Sequence, residues 1–507
     1  MDTNTLARLV IAAYLAVLTV ICIYGAHRYF LVLLYYRVRN RVPTPAGTFA
    51  ELPRVTVQLP MYNERYVAER IIEHACQIDY PRDRLEIQVL DDSTDETQEI
   101  AQAAVQRLRA AGHNIVYLHR TDRVGYKAGA LEEATRQATG DFIAIFDADF
   151  LPAANILKET IDYFTDERVG MVQSRWEHLN RGLSLLTQAQ AILLDGHFII
   201  EHTARNRTGR FMSFNGTGGI WRKTAIADAG GWQHDTLTED LDLSYRAQLR
   251  GWKFVFLPHL TSPAELPPEM SAFKAQQHRW TKGGAQTCLK LLPRVLRSDL
   301  NWRVKLEAFF HLNSGAVYVL VVILSLLLGP ALLAKLKLTQ PQSPWVLGFE
   351  MVLFIIGFGS TIAFYVVSQQ QLLRGWWYGL RHVPTLMAVG IGIAFNNAVA
   401  ALDGCFGQTG EFVRTPKFGA AAQHTTDWRQ RLGGFQLKRN WRAWAELFMA
   451  VYLTACAASL LFFENWFERV SMALPFLAVF IVGYFYVAFQ TFYTRWLSAR
   501  GPKNAMA

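Results

Sequence analysis

Hydrophobic residues are concentrated at the amino terminus and in the last two hundred residues, whereas residues 40–300 have the composition of a soluble domain. A helix needs about 20 predominantly apolar residues to cross a bilayer. Six stretches are long enough to be considered, and they lie near residues 9–34, 309–333, 345–368, 383–402, 443–463 and 472–492. The pattern therefore predicts a soluble domain inserted into an α-helical transmembrane domain.

Basic residues indicate which stretches cross the membrane, because loops rich in Lys and Arg stay in the cytoplasm. The first stretch lacks a small-residue cleavage site and runs into Arg37, so we expect an anchor and not a cleavable signal peptide. If 383–402 crossed, residues 403–442 would lie outside with seven Lys or Arg and three acidic residues. That stretch also carries a proline, two glycines and two asparagines, so we expect it to lie along the inner interface. Five crossings then keep the soluble domain and the basic loop in the cytoplasm.

Within the soluble domain, short β-rich runs alternate with helical stretches. The runs at 54–59, 85–90, 114–118 and 141–146 predict strands, and the segments before residue 77, at 95–111 and at 127–138 predict helices. This alternation predicts an α/β domain with a mostly parallel sheet and helices on both faces.

Polar clusters follow three of the predicted strands. They are Tyr62-Asn63-Glu64, Asp91-Asp92-Ser93 and Asp147-Ala148-Asp149. Loops after strands are commonly polar, so each cluster alone has a structural explanation. Ligands of such sheets bind outside the carboxyl ends of the strands, and three clusters at that edge predict a binding site.

Two carboxylates, Asp147 and Asp149, leave the last predicted strand two residues apart. Hard oxygen ligands of this kind suit Mg²⁺ or Mn²⁺. Such a metal would neutralise the charge of a departing diphosphate. Because turns are rich in Asp, the signal depends on the buried strand that precedes it.

Two further motifs predict catalytic chemistry. Thr238-Glu239-Asp240 precedes a helical stretch, and one of its carboxylates is a candidate general base; alternatively, Thr238 caps the helix and the acids complement its dipole. Gln276-Gln277-His278-Arg279-Trp280 offers a cation for phosphate and an indole face on which a sugar can stack.

Composition and charge add the lipid bilayer as an expected partner and argue against nucleic acid. The net charge is +9, from 51 basic and 42 acidic residues, and the basic residues lie beside apolar stretches, as expected next to anionic lipid. No basic motif with interleaved stacking aromatics indicates nucleic-acid binding. The five scattered cysteines predict neither a disulfide framework nor a zinc site, and the lack of repeats disfavours an inverted-repeat transporter.

The order of these motifs resembles family-2 glycosyltransferases, and most closely the cellulose-synthase-like A and C branch of glucomannan and β-glucan synthases. The resemblance rests on the motifs above and on Lys127-Ala-Gly-Ala-Leu131, Phe214-Asn-Gly-Thr217 and Gly230-Gly-Trp232. It implies a GT-A-type nucleotide-sugar-binding domain at 41–300, between an anchor at 1–40 and membrane or interfacial helices at 301–507. The loop 403–442 would then contain a gating segment.

The resemblance also implies residue roles. Asp240 would be the base; Tyr62, Glu64, Asp92, Lys127, Asp147 and Arg279 would bind the donor, with Asp147 and Asp149 holding the metal. Phe214, Asn215, Gly216, Glu239, Gln276 and Trp280 would bind the acceptor, and Phe412, Arg414, Thr415 and Lys417 would form the gating loop. This chain has Arg-Thr-Pro-Lys where cellulose synthases carry Val-Thr-x-Lys, so the details of gating stay open. A regulatory cyclic-dinucleotide domain is not expected.

These features together predict an inverting, metal-dependent hexosyltransferase. The resemblance implies that it uses UDP-glucose or GDP-mannose to extend a β-1,4-linked polysaccharide, which the membrane helices would export. A non-processive enzyme adding one sugar to ceramide or diacylglycerol is the first alternative, and a non-catalytic channel or scaffold is the second. The sequence leaves the sugar, the nucleotide, the linkage and any homo-oligomer or export partner open.

Overall fold

A mostly parallel sheet forms the centre of the soluble domain. The computed structural model describes residues 3–338, 344–372, 374–407, 417, 419, 441–464, 467 and 474–500. Within these, seven strands form the sheet: β1 Val55–Met61, β2 Leu85–Asp91, β3 Ile115–His119, β4 Phe142–Ile145, β5 Val169–His178, β6 Gly219–Arg222 and β7 Lys253–Ala264. Their order is β3-β2-β1-β4-β6-β5-β7. Only β6, in this described sheet, runs antiparallel to its neighbours β4 and β5.

The register of the sheet brings the predicted polar clusters to one edge. Met61 at the end of β1 pairs with Asp91 at the end of β2, and Asp91 pairs in turn with His119 at the end of β3. The carboxyl ends of three parallel strands are therefore level. The four predicted strands are confirmed, each within two residues of the predicted bounds.

Helices cover both faces of the sheet, as predicted. In the soluble domain they are α2 Ala68–Cys76, α3 Thr97–Ala110, α4 Tyr126–Gln137, α5 Ile156–Thr160, α6 Leu185–Gly196, α7 Thr203–Arg207, α8 Lys223–Asp228, α9 Glu239–Leu249 and α10 Met270–Arg297. Two 3₁₀ segments, Ile161–Thr165 and Arg181–Leu183, and a π-helical segment, His197–His202, complete this part. One buried cluster packs α2 and α3 against the sheet, and a second packs α4 and α9 against the other face.

Long apolar helices make up the rest of the described chain. They are α1 Thr3–Val38, α12 Ala316–Lys337, α13 Pro344–Gln371, α16 Trp441–Leu460 and α17 Leu474–Arg500, with shorter helices α11 Trp302–Leu312, α14 Trp376–Gly392 and α15 Ala394–Phe406. Among the described residues, the five long helices are apolar enough to cross a membrane. The helices α14 and α15 meet at a 44° bend and would make a sixth span only if taken together. The interfacial position of 383–402 therefore stays a prediction.

Buried polar contacts join the soluble domain to these helices. Lys274 on α10 forms an ion pair of 2.7 Å with Glu446 on α16, and both side chains are buried. On the other side of the domain, Asp195 on α6 accepts a hydrogen bond of 2.9 Å from Gln369 on α13. These contacts fix α6 and α10, which both flank the candidate site, against two of the long apolar helices.

Candidate active site

A cleft lies at the carboxyl ends of β1, β2 and β4, where the sequence predicts a site. The helices α9 and α10 close its other side. It brings together Tyr62, Glu64, Asp92, Lys127, Asp147, Asp149, Asn215, Gly216, Glu239, Asp240, Gln276, Arg279, Trp280 and Lys417. Residues that are more than 350 positions apart in the chain thus share one cavity.

Lys127 links two of the predicted motifs. Its Nζ donates to Oδ1 of Asp147 at 2.5 Å and to the carbonyl oxygen of Gly216 at 2.8 Å. Burial alone would lower the pKa of Lys127, but the carboxylates of Asp147 and Glu239 hold it above its ordinary value. Lys127 is therefore a fixed positive charge at the centre of the cleft.

Asp240 lies in the first turn of α9, directly against Gly216. A β-carbon at Gly216 would be 3.0 Å from Oδ2 of Asp240, so the missing side chain leaves this carboxylate room beside Lys127. Burial, and then the neighbouring charge of Glu239, raise the pKa of Asp240 to about 7. A carboxyl with this pKa can accept a proton at physiological pH.

Thr238 and Glu239 differ in their environments. Thr238 precedes α9 as its N-cap residue, but its side chain makes no capping hydrogen bond. Its hydroxyl instead lies 3.1 Å from that of Thr287 on α10. Glu239 is buried beside Lys127 and Arg279, and burial raises its pKa although both cations oppose the shift. The motif therefore connects α9 to α10 in addition to forming a helix terminus.

Arg279 and Trp280 come from the first half of α10. Arg279 is half-buried among carboxylates, of which Glu239, Asp147 and Asp240 interact with it most strongly. Burial lowers its pKa, but a guanidinium remains charged at neutral pH. The Trp280 ring lies 6.5 Å from that of Trp176, which also lines the cleft. The arrangement supplies a cation for phosphate next to two indoles on which a sugar can stack.

The opposite end of the cleft is suited to a nucleoside. Arg120 holds Asp92 with two hydrogen bonds, of 2.9 and 2.6 Å, which fix both carboxylate oxygens. The guanidinium of Arg123 lies 3.3 Å from the centre of the Tyr62 ring. Neither arginine was among the predicted residues, although both lie in the short basic segment just before Lys127.

In the motif from Phe214 to Thr217, the two middle residues line the cleft, whereas the side chain of Phe214 does not. The Phe214 ring is buried against Trp221, with ring centroids 5.7 Å apart, and is not among the described residues that line the cleft. The Phe214 ring therefore faces the core and not the cleft, and its predicted contact with the acceptor stays a prediction. Asn215 and Gly216 do line the cleft. Thr217 accepts a hydrogen bond of 2.9 Å from the backbone nitrogen of Asp147 and so ties the two motifs together.

The residues present fit a divalent cation. Asp147 and Asp149 both line the cleft, and Mg²⁺ and similar ions commonly bind through one or two carboxylates together with substrate phosphates. No cluster of three metal-ligating side chains occurs in the described part of the chain, so phosphate oxygens would have to complete the ligand set. Asp149 also forms an ion pair with Lys417. The other predicted gating residues, Phe412, Arg414 and Thr415, lie outside the described residues.

Three further cleft residues come from β5 and the segment after β7, which were not predicted. They are Trp176, His178 and Glu265. His178 lies 3.3 Å from the buried Asp195. Hydrogen bonding and charge from His178 and Arg181 outweigh burial and hold the pKa of Asp195 well below its usual range. No motif in the sequence marks these positions, because their place depends on the pairing of β5 with β7.

Comparisons with known proteins agree with this fold and site. Residues 53–283 match the family described as "Glycosyltransferase like family 2". Glucomannan 4-beta-mannosyltransferase 7 of Arabidopsis thaliana is 37% identical over 340 residues, which are 64% of this chain and 61% of that protein. Glucomannan 4-beta-mannosyltransferase 2 of the same plant is 44% identical over 254 residues, 49% of this chain and 48% of that protein. The alignments thus span about half to three-fifths of these relatives.

A solved structure shows the same fold. The mannosyltransferase PcManGT from Pyrobaculum calidifontis, in complex with GDP-Man and Mn²⁺, superposes with a TM-score of 0.50 at 20% identity. The match covers 77% of this chain and 99% of that one. Residues 53–283 are therefore similar to glycosyltransferase family 2, and this part of the chain has a GT-A fold.

Proposed function

We propose that the protein transfers a hexose from a nucleoside-diphosphate sugar to a hydroxyl of a β-1,4-linked glycan, with inversion at the anomeric carbon. One observation carries the proposal. The carboxyl of Asp240, with its pKa raised to about 7, lies beside Gly216 in the cleft that also holds Lys127 and Arg279. A base and two cations around one cavity are what a displacement of diphosphate by a hydroxyl requires.

The donor would lie along the sheet edge. Tyr62 and the Arg120–Asp92 pair would contact the nucleoside, and Lys127 and Arg279 would contact the diphosphate. A divalent cation bound at Asp147 and Asp149 would supply Lewis-acid neutralisation of the leaving group. Lys127 already lies against Asp147, so a positive charge is in place where negative charge develops.

The acceptor would stack on Trp280, with Gln276 and Glu239 beside its hydroxyl groups. Asp240 would remove the proton from the attacking hydroxyl as the bond to the anomeric carbon forms. The bond to the diphosphate breaks on the opposite face, so an α-linked donor gives a β-linked product. General-base assistance of this kind contributes about two to four powers of ten in rate.

The relatives favour mannose as the transferred sugar. The named plant proteins are glucomannan 4-β-mannosyltransferases, and on this ground we favour GDP-mannose over UDP-glucose as donor. The basic residues after α1, Arg37, Arg39 and Arg41, support a cytoplasmic position of the cleft by the positive-inside rule. A growing polymer would then leave through the helices that follow α10.

The proposal is tested by measuring nucleotide release by the purified protein in detergent. GDP-mannose, UDP-glucose and UDP-N-acetylglucosamine are supplied in turn as donors. We expect release with GDP-mannose that depends on a glycan acceptor, a β-1,4 linkage, and a ladder of products. A single chloroform-soluble product would instead identify a lipid glycosyltransferase. Asp240→Asn should lower the transfer rate by about 10²- to 10⁴-fold while nucleotide binding persists; unchanged transfer in this variant would overturn the assignment of the base.

A further inference from the structure

A short π-helical segment lies behind the active site, between α6 and α7. Five residues in an α-helix turn through about 140° beyond a full turn, which separates side chains at i and i+5. A π-helix has its hydrogen bonds at i and i+5 and brings such residues together. In this segment, His197 and His202 are five residues apart, and their ring centroids are 4.3 Å from each other.

Both histidines contact the side chain of Asn215. Nε2 of His202 lies 2.5 Å from Oδ1 of Asn215, and Nε2 of His197 lies 3.0 Å from its Nδ2. The amide therefore receives a hydrogen bond from His202 and donates one to His197. Nδ1 of His197 lies 2.9 Å from Glu201, so the proton of this ring faces the carboxylate. These contacts assign one tautomer to each ring and use both ends of the Asn215 amide.

The same contacts continue through buried ion pairs to α11 and to the long apolar helix α1. Glu201 forms an ion pair of 3.3 Å with Arg205, and Arg205 donates to Glu307 on α11 at 2.9 Å. Glu307 in turn lies 3.1 Å from His27 on α1. The π-helical segment is thus tied by buried charged groups to the first apolar helix.

Asn215 immediately precedes Gly216, which contacts both Lys127 and Asp240. The carbonyl of Gly216 accepts the hydrogen bond from Lys127, and its α-carbon faces Asp240. The backbone nitrogen of Asn215 is also fixed, since it donates to Gln173 at 3.1 Å. A displacement of the Asn215 side chain would therefore move the contact of Lys127 and the space beside Asp240 together.

We propose that His197 and His202 are positioning residues for the transfer reaction, which act through Asn215 to hold Gly216 against Lys127 and Asp240. Neither histidine is among the described residues that line the cleft, so their effect is indirect. Burial holds the pKa of His202 well below its ordinary value, which keeps this ring neutral and its donor directed at Asn215. The inference rests on the proposed function.

Steady-state kinetics of His202→Leu and His202→Gln test the inference, normalised to the protein that binds GDP. We expect kcat to fall about 10- to 100-fold in His202→Leu, as a displacement of about 1 Å can cost 10²-fold, with a donor KM within about twofold. A glutamine can still donate to Asn215, so His202→Gln should recover most of the rate. The matched control is Tyr80→Leu, because Tyr80 is a buried ring whose hydroxyl donates to the carbonyl of Pro53 at 2.7 Å, and neither residue is among those described as lining the cleft; its kcat should be unchanged.

A double-mutant cycle separates positioning from general destabilisation. Asn215→Ala removes both histidine contacts, so adding His202→Leu to it should lower kcat no further. Losses that multiply in the double variant would overturn the inference. So would an equal loss in Tyr80→Leu, or a kcat of His202→Leu within twofold of wild type. If the wild-type protein transfers sugar from no donor, the proposed function itself is overturned. Failure of the proposed function is thus distinguished from failure of the histidine inference, in which the wild type is active.

Discussion

Thr238 lies directly against the backbone of Gly283. A β-carbon at position 283 would be 2.6 Å from Cγ2 of Thr238 and 2.8 Å from its backbone nitrogen. Thr238 is the N-cap residue of α9, which carries Asp240, and Gly283 follows Arg279 by about one turn of α10. The absent side chain therefore sets how closely the base approaches the cation that faces it.

Replacing this glycine tests that relationship. Because β-carbons essentially never lie within 3.0 Å of such atoms, Gly283→Ala must shift α9 or α10, and we expect the transfer rate to fall by at least about tenfold. Gly284→Ala is the matched control, since nothing lies within 4 Å of its added carbon. That variant should keep its rate and gain about 0.5–1 kcal/mol of stability, measured by thermal unfolding. Equal rates in the two variants would contradict the prediction.

The raised pKa of Asp240 predicts the pH dependence of the reaction. The base acts only when ionised, so the rate should be low below the pKa and rise to a plateau as pH increases through about 7. The measurement is kcat at saturating donor between pH 5 and 9, with nucleotide binding followed over the same range. In Asp240→Asn the residual rate should be lower by about 10²- to 10⁴-fold and should show no inflection near neutrality. An inflection that persists in this variant would assign the titration to another group.

Much of the cleft could be predicted because its residues follow strands with a strong pattern. The strands β1, β2 and β4 are rich in apolar and β-branched residues and are closely followed by Tyr62, Asp92 and Asp147. The rule that parallel sheets bind ligands at this edge predicts that these side chains lie together. Asp240 and Arg279 were predicted as site residues from two sequence motifs, the one that starts at Thr238 and the one that starts at Gln276. The structure brings all five into one cavity.

The other features of the site depend on how distant segments pack together, which the sequence pattern does not indicate. The motif starting at Phe214 marks a loop of the site, but only packing shows that the Phe214 ring faces the core while Gly216 faces Asp240. The strand β6 has four residues, of which only Ile220 and Trp221 are apolar, so no apolar run marks it as β4 is marked. The π-helical turn likewise has no distinct pattern, so the pairing of His197 with His202 was not foreseen.

Removal of divalent metal should stop the reaction. Protein treated with EDTA is expected to lose transfer, and Mn²⁺ or Mg²⁺ should restore it, because the carboxylates of Asp147 and Asp149 fit a cation bound together with diphosphate. Asp149→Asn should weaken the metal dependence of GDP binding, measured by calorimetry. Asp141→Asn is the control, since this exposed residue precedes the other end of β4. Full activity after chelation would show that Lys127, Lys417 and Arg279 neutralise the diphosphate without metal.

The buried ion pair between Lys274 and Glu446 predicts a large loss of stability when one partner is removed. Its charged atoms are 2.7 Å apart, with side chains 2% and 0% exposed. Lys274→Met leaves a buried carboxylate without its cation and should cost about 3–5 kcal/mol. Lys158 and Asp79 are also 2.7 Å apart but are 47% and 62% exposed, so Lys158→Met should cost about 0–1 kcal/mol.

Thermal unfolding in one detergent compares these variants. The double variant Lys274→Met/Glu446→Leu should be more stable than Lys274→Met alone, because replacing both charges by apolar groups removes the uncompensated one. Lys274 lies at the start of α10, ahead of Arg279, so recovery of stability should be accompanied by recovery of the transfer rate. A double variant less stable than either single variant would mean that the pair contributes by its attraction, and that desolvation of its charges is the smaller effect.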